Sequence, residues 1–191
     1  MRHIRLLREF AKNPLELGVI FPSSNRLAKA ITADIGLETA VAVAEIGPGT
    51  AVFTSHILKM IPSKTKYFAV EINPSMYELF IEKFPGVRIY NADAVHMKKM
   101  LTREKIKNVD VVISGLPWSL FTLKLQCKIM KAISDALPVG GHFATYAYLQ
   151  GTMMPGGTRF KKLLDRYFSS VTKSKTIWNN IPPAFVYRCV K

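Results

Sequence analysis

The run Ala44-Glu45-Ile46-Gly47-Pro48-Gly49-Thr50 constrains this chain most, because it joins the apolar stretch Val41 to Ala44 to the helical pattern Val52 to Met60. A strand, a glycine turn and a helix start in that order form the unit at which α/β folds bind nucleotides. Glycine admits positive φ and lets the backbone approach a ligand, while the helix N-terminus presents free N–H groups. Tyr67-Phe68-Ala69-Val70-Glu71 then reads as a second strand ending in a carboxylate, 22 residues after Gly49, where an acid suits a ribose diol. Position 52 is Val, so the third glycine of a dinucleotide fingerprint is missing, and Glu45 adds an acid two residues before the first glycine.

Apolar periodicity extends this unit into an alternation. Strands are predicted near 41 to 46, 66 to 71, 87 to 91, 109 to 114 and 141 to 148, with helices near 50 to 60, 75 to 84, 96 to 104 and 119 to 136. A helix from Asn25 to Ile35, capped by Ser23 or Ser24, precedes them, and another near 158 to 167 follows. Ser169 to Ile177 and Ala184 to Val190 suit an antiparallel hairpin joined through Asn179-Asn180-Ile181-Pro182-Pro183. The expected fold is therefore α/β: a Rossmann-like, mostly parallel seven-stranded sheet closed by an antiparallel hairpin. Residues 1–35 are expected to form an N-terminal amphipathic helix and capping segment, and 36–191 one domain. At 191 residues and 49% hydrophobic content the chain can fill a single core.

With Glu45 and the Gly47/Gly49 turn, Glu71, and Asn91-Ala92-Asp93-Ala94 closing the third strand, the array resembles the class I S-adenosylmethionine-dependent methyltransferases. The resemblance implies S-adenosylmethionine as cofactor. It places Gly47, Gly49 and Thr50 along the methionine portion, with Glu45 orienting the turn or receiving the cofactor's ammonium. Glu71 would hold the ribose hydroxyls and Ile72 would lie against the adenine. Asp93 would accept from the adenine amino group with Ala94 beside it, and Ser114 and Gly115 would give backbone contacts near the sulfonium.

The fourth strand runs into Ser114-Gly115-Leu116-Pro117-Trp118, at the carboxyl edge where open α/β sheets bind substrates. Methyltransferases acting on adenine typically carry Asn-Pro-Pro-Tyr or Asn-Leu-Pro-Tyr there, the Asn accepting from the target amine. Here Gly115 stands in the place of that Asn, which argues against a nucleic-acid acceptor. Pro117 and an aromatic remain, and aromatic faces attract alkylated ammonium groups by roughly 0.5 to 2 kcal/mol. Trp118, Pro117 and Tyr146 are thus the candidate catalytic residues, with Tyr146, water or a lipid phosphate as candidate proton acceptor. Gly151 to Gly157 is expected to be a mobile loop, a lid, or a segment dipping into lipid.

The chain also resembles the bacterial phospholipid N-methyltransferases that convert phosphatidylethanolamine to phosphatidylcholine. That resemblance rests on Leu7 to Pro14, Gly18 to Ser24, Glu45 to Thr50, the Gly-Leu-Pro-Trp loop and Asn180 to Tyr187. It implies a phospholipid substrate. Charge agrees with such a partner: 27 Lys and Arg against 13 Asp and Glu leave +14, an excess that suits an anionic membrane or nucleic acid. A helix over residues 2 to 12 would place Arg2, Arg5, Arg8 and Lys12 on one arc and Phe10 with Ile4, Leu6 and Leu7 on the other. Those residues form a candidate contact with an anionic membrane surface, each arginine contributing roughly 1 kcal/mol. The N-terminus lacks the apolar stretch of a signal peptide, and the two cysteines are too few for a disulfide framework or a zinc site. The protein is expected in the cytoplasm, peripherally attached to the inner face of the membrane, with no bound metal. Methylation of ribosomal RNA adenine, or of another amino lipid such as ornithine lipid, stays open as an alternative.

Overall fold

The computed structural model describes residues 24–191. Strands β1 (Ala42–Ile46), β2 (Lys66–Glu71), β3 (Ile89–Asn91), β4 (Val111–Ser114), β5 (His142–Tyr148), β6 (Ser170–Lys173) and β7 (Ala184–Val190) form one sheet. Its order is β3-β2-β1-β4-β5-β7-β6. The first five strands run parallel, and β7 inserts antiparallel between β5 and β6. This is the Rossmann-like methyltransferase architecture expected from the sequence, with the polarity reversal confined to the hairpin.

Helices α1 (Asn25–Thr32), α2 (Val52–Met60) and α3 (Pro74–Lys83) cover one face, and α4 (Met97–Glu104), α5 (Leu123–Ala136) and α7 (Pro155–Tyr167) the other. Strand alternation assigns the residues. In β1, Ala42, Ala44 and Ile46 join the core under α4, α5 and α7, while Val43 packs with Leu27, Ile31, Phe53 and Ile57 of α1 and α2. Strand β1 is buried along its whole length, as a central parallel strand must be. Caps set the helix starts: Ser24 accepts from the Leu27 N–H, Asn73 from Ser75, and Thr122 from Leu125. Of the two candidate caps, Ser24 is therefore the one used at α1.

One segment departs from expectation. Gly151 to Gly157 is not a loop. It belongs to the short helix α6 (Leu149–Met153) and to the first turn of α7. Glycine lowers helix propensity, but here contact outweighs it: a Cβ on Gly156 would lie 1.9 Å from the Ser119 carbonyl oxygen, and one on Gly157 would lie 2.1 Å from that of Gly151. Bare backbone lets α6, α7 and the segment after β4 touch. Residues Arg2, Arg5, Arg8, Phe10 and Lys12 lie outside the described residues.

Candidate active site

The carboxyl ends of β1, β2 and β4 converge on the glycine turn. Gly47 and Gly49 take φ of 66° and 52°, and Ala51, which caps α2, is also left-handed at 60°. Three such residues in five explain the two glycines; the third position strains its Cβ by roughly 1–2 kcal/mol. The turn is tied to its neighbours, the Gly47 N–H donating to the Val70 carbonyl at 2.8 Å and the Ala51 N–H to that of Pro48 at 2.8 Å.

Glu71 is buried rather than solvated. Its carboxylate accepts from the Gly49 N–H at 3.3 Å and the Asn73 N–H at 2.9 Å, so it bridges the glycine turn and the start of α3. Burial raises its pKa, and these backbone donors partly offset the rise. Asp93 caps the 3-10 turn Ala94–His96 through the Val95 N–H at 3.0 Å. Gly47, Glu71, Ile72, Asp93 and Ala94 together line a narrow cleft, whose apolar wall is completed by Leu116 and Ile129. A carboxylate beside a flat apolar slot suits a nucleoside, with Glu71 toward a ribose and Ile72, Ala94 and Leu116 toward a planar base. Thr50 does not line this cleft; its carbonyl accepts from the Lys83 ammonium at 3.0 Å.

Glu45 is fully buried one turn before the glycines. One carboxylate oxygen accepts from the Thr54 hydroxyl at 2.7 Å and from the Tyr67 hydroxyl. The other has no partner among the described residues, an acceptor that fits a cationic donor such as an ammonium. Burial pushes its pKa up to about 7; the hydrogen bonds from Tyr67 and Thr54 oppose this, and the Glu71 charge adds to it. The folded protein thus holds a proton there that the unfolded chain, with an ordinary value of 4.5, has released. Stability is therefore expected to fall as pH rises from 4.5 to about 7 and then to level off, a loss on the order of 3 kcal/mol from this group. Melting curves of the wild type and Glu45→Gln should diverge across that window, and parallel curves would exclude the assignment.

The segment after β4 is built differently from its sequence reading. The Gly115 N–H donates to the Ile46 carbonyl at 2.8 Å, and a Cβ at 115 would sit 2.3 Å from the Gly47 carbonyl oxygen. Trp118 is 3% exposed. Its indole stacks on Phe160 with centroids 4.5 Å apart and meets Phe121 and Phe143 edge-on. Its N–H donates to the Thr145 hydroxyl at 3.1 Å, which in turn donates to the Ser114 carbonyl at 2.9 Å. The ring offered as an open aromatic face is thus chiefly a core group, with one face taken by Phe160. Gln126, which the sequence reading missed, is fully buried and donates to the carbonyls of Trp118 at 2.7 Å and Gly156 at 2.9 Å. An amide on the apolar side of α5, beside Leu125, Ile129 and Met130, was the available signal.

A second cavity opens next to the cleft and shares Leu116 with it. Pro117, the Trp118 edge, Leu120, Tyr146, Tyr148, Met154 and Phe160 line most of it. None of its lining residues is a carboxylate, histidine or lysine. Tyr146 and Tyr148 point to one side of β5, as their alternation predicts, with centroids 5.3 Å apart. Burial, with Tyr148 next to it, raises the pKa of Tyr146 far above the ordinary phenol range, which keeps its hydroxyl neutral.

Comparison with known proteins places this geometry. The sequence profile of the ribosomal RNA adenine dimethylase family matches residues 11–177. The chain belongs to that family. It is an S-adenosylmethionine-dependent N-methyltransferase, and S-adenosylmethionine is its cofactor. Among curated relatives, an ornithine lipid N-methyltransferase from Singulisphaera acidiphila is 27% identical over 186 residues, covering 96% of this chain and 93% of the relative. Ribosomal RNA small subunit methyltransferase A from Thermotoga petrophila is 29% identical over 107 residues, covering 54% of this chain and 38% of the relative. The fold is shared with the N-methyltransferase NodS from Bradyrhizobium japonicum, solved with S-adenosyl-L-homocysteine (TM-score 0.68, 10% identity, 100% of this chain and 99% of that one). It is shared too with TrmN from Thermus thermophilus (TM-score 0.69, 15% identity), whose chain this one covers to 53% while matching over 96% of its own length.

Proposed function

We propose that this enzyme methylates the primary amine of a membrane amino lipid, phosphatidylethanolamine or an ornithine lipid. The observation that carries this reading is Gly115, where the adenine enzymes place their amine-accepting Asn. With the Gly47 carbonyl 2.3 Å from any Cβ, the backbone packing leaves no room for that side chain. The neighbouring apolar cavity suits an aliphatic amine on a lipid. The relative acting on ornithine lipid, which aligns along nearly the whole chain, supports the same class and favours the ornithine alternative over phosphatidylethanolamine.

The bound cofactor would supply an electrophilic methyl group on a sulfonium. Glu45, with its unpaired oxygen, would take the ammonium of the methionine portion, and Gly47, Gly49 and Thr50 would follow that portion. Glu71 would hold the ribose, Asp93 the adenine amino group, and Ile72 and Ala94 the ring. Ser114 and Gly115 would stand beside the sulfonium through their backbone. Pro117, Tyr146 and Trp118, which line the cavity, would position the acceptor. The substrate ammonium must first lose a proton, and with no carboxylate, histidine or lysine among the described lining residues, water or the lipid phosphate would accept it. With the methyl passing from the sulfonium to the neutral amine, the protein's own part would be chiefly to orient two reactants and exclude water.

The test is labelled S-adenosylmethionine with vesicles of phosphatidylglycerol mixed with phosphatidylethanolamine or with ornithine lipid, run beside ribosomal RNA. Label in a lipid headgroup supports the reading; label in RNA alone overturns it. Glu71→Gln, which loses the charged acceptor, is expected to weaken S-adenosylhomocysteine binding about tenfold by calorimetry. Unchanged affinity would remove Glu71 from the site.

A further inference from the structure

Of the described large apolar side chains that stand in water, five lie on connections at the carboxyl edge of the sheet, the edge that carries the site. They are Leu123, Met153, Met154, Trp178 and Ile181, and the most exposed are Met153 at 87%, Trp178 at 69% and Ile181 at 66%. Two connections carry four of them, and these leave the sheet together: Tyr148 at the end of β5 pairs with Ala184 at the start of β7, and the Leu149 N–H donates to the Pro183 carbonyl at 3.0 Å.

Trp178 is held out by an ordered loop. Asn180, 2% exposed, donates to the Pro182 carbonyl at 2.7 Å and accepts from the Ser24 N–H at 3.1 Å. Ile177 bridges to Ala184 on the other side of Trp178. An indole fixed outward, far from the core, is an unusual place for so large an apolar surface and marks an interaction site.

Charge identifies the partner. Residues 136–191 contain eight Lys or Arg and a single acid, Asp165. Lys173 and Lys175 precede Trp178 and Arg159 follows Met153, all exposed. Apolar tips flanked by cations match a headgroup boundary over anionic lipid, where Trp is favoured. The rim is also continuous with the acceptor cavity, since Gln150, Thr152 and Met154 line it.

We propose that Trp178, Ile181 and Met153 form a docking rim that enters an anionic bilayer, with Lys173, Lys175 and Arg159 at the lipid phosphates, and so opens the acceptor cavity toward the membrane. This rests on the amino-lipid reading for its purpose, though not for its test. The chain has two tryptophans, and Trp118 is buried and hydrogen-bonded, so a fluorescence change on membranes reports Trp178.

Vesicles of phosphatidylethanolamine and phosphatidylglycerol, with brominated acyl chains as quencher, should shift the full-length protein's emission to the blue and quench it. The Trp178→Phe variant should lose that response. Trp178→Ala combined with Met153→Ser should partition onto these vesicles about tenfold less while binding S-adenosylhomocysteine unchanged. It should methylate lipid in vesicles poorly but lipid dispersed in detergent normally. An unquenched Trp178 on vesicles that sediment with the protein overturns the rim, as does quenching by RNA with none by lipid. Insertion of Trp178 without any labelled lipid would uphold the rim and overturn the amino-lipid reading instead.

Discussion

Trp118→Ala is expected to destabilise the protein by about 3–5 kcal/mol, the range for removing a buried aromatic, and so to consume much of the 5–15 kcal/mol typical of a domain. The side chain is 3% exposed, stacks on Phe160 of α7 and anchors Thr145 of β5. Its removal leaves a cavity between the segment after β4 and two other elements, with the Thr145 hydroxyl losing a donor. Cofactor affinity and turnover should therefore fall together. Trp118→Phe, which keeps a ring against Phe160 but cannot donate to Thr145, should cost about 1–3 kcal/mol and retain partial activity. Urea unfolding with calorimetry of S-adenosylhomocysteine decides the matter. An alanine variant that melts like the wild type, binds the cofactor and fails only in turnover would return Trp118 to the role of a substrate face.

Restoring the amide of the adenine enzymes gives the second large effect. Gly115→Asn places a Cβ 2.3 Å from the Gly47 carbonyl oxygen and 3.4 Å from its carbon, both backbone atoms of the glycine turn. Neither can move aside as a side-chain tip would. Either β4 parts from β1, losing the Gly115 N–H bond to the Ile46 carbonyl, or the glycine turn shifts. Overpacking typically costs about 1–3 kcal/mol, and a backbone neighbour puts this case at or above the upper end. The variant should bind S-adenosylhomocysteine more than about tenfold less tightly. It should not gain activity on RNA. A stable variant that methylates adenine would show that the Gly, rather than the packing around it, had set the acceptor.

The same loop shows where the sequence stopped being informative. Gly-Leu-Pro-Trp was recognisable as the acceptor segment because it follows a buried apolar strand in an α/β alternation, and the cleft does form where β1, β2 and β4 end. Which way the Trp118 ring points depends on Phe160 and Thr145, 42 and 27 residues further along the chain. The α6–α7 segment illustrates the same limit. Gly151, Gly156 and Gly157 are poor helix formers by local propensity, and only close approach, of the Ser119 side chain to Gly151, of the Ser119 backbone to Gly156 and of the Gly151 backbone to Gly157, makes their lack of a side chain favourable. Strands β3 and β4 likewise begin two residues later than their apolar runs, since Val87 and Val109 are apolar without belonging to the strands. Their N–H groups donate to Phe84 and Ala136.

What the sequence by itself determined is the topology and the glycine turn: strand and helix periods, the two glycines and the strand-end acid at Glu71 are local signals, fixed by backbone sterics and by which residues must be buried. Tertiary structure alone decided the character of the site. Glu45 became a carboxyl whose pKa is pushed up to about 7 because the fold buries it completely, against the opposing hydrogen bonds of Tyr67 and Thr54, Gly115 became obligatory because Gly47 lies against it, and Trp178 became a surface feature because Asn180 holds its loop outward. Burial and close approach are sums over segments far apart in the chain, so no window of sequence contains them.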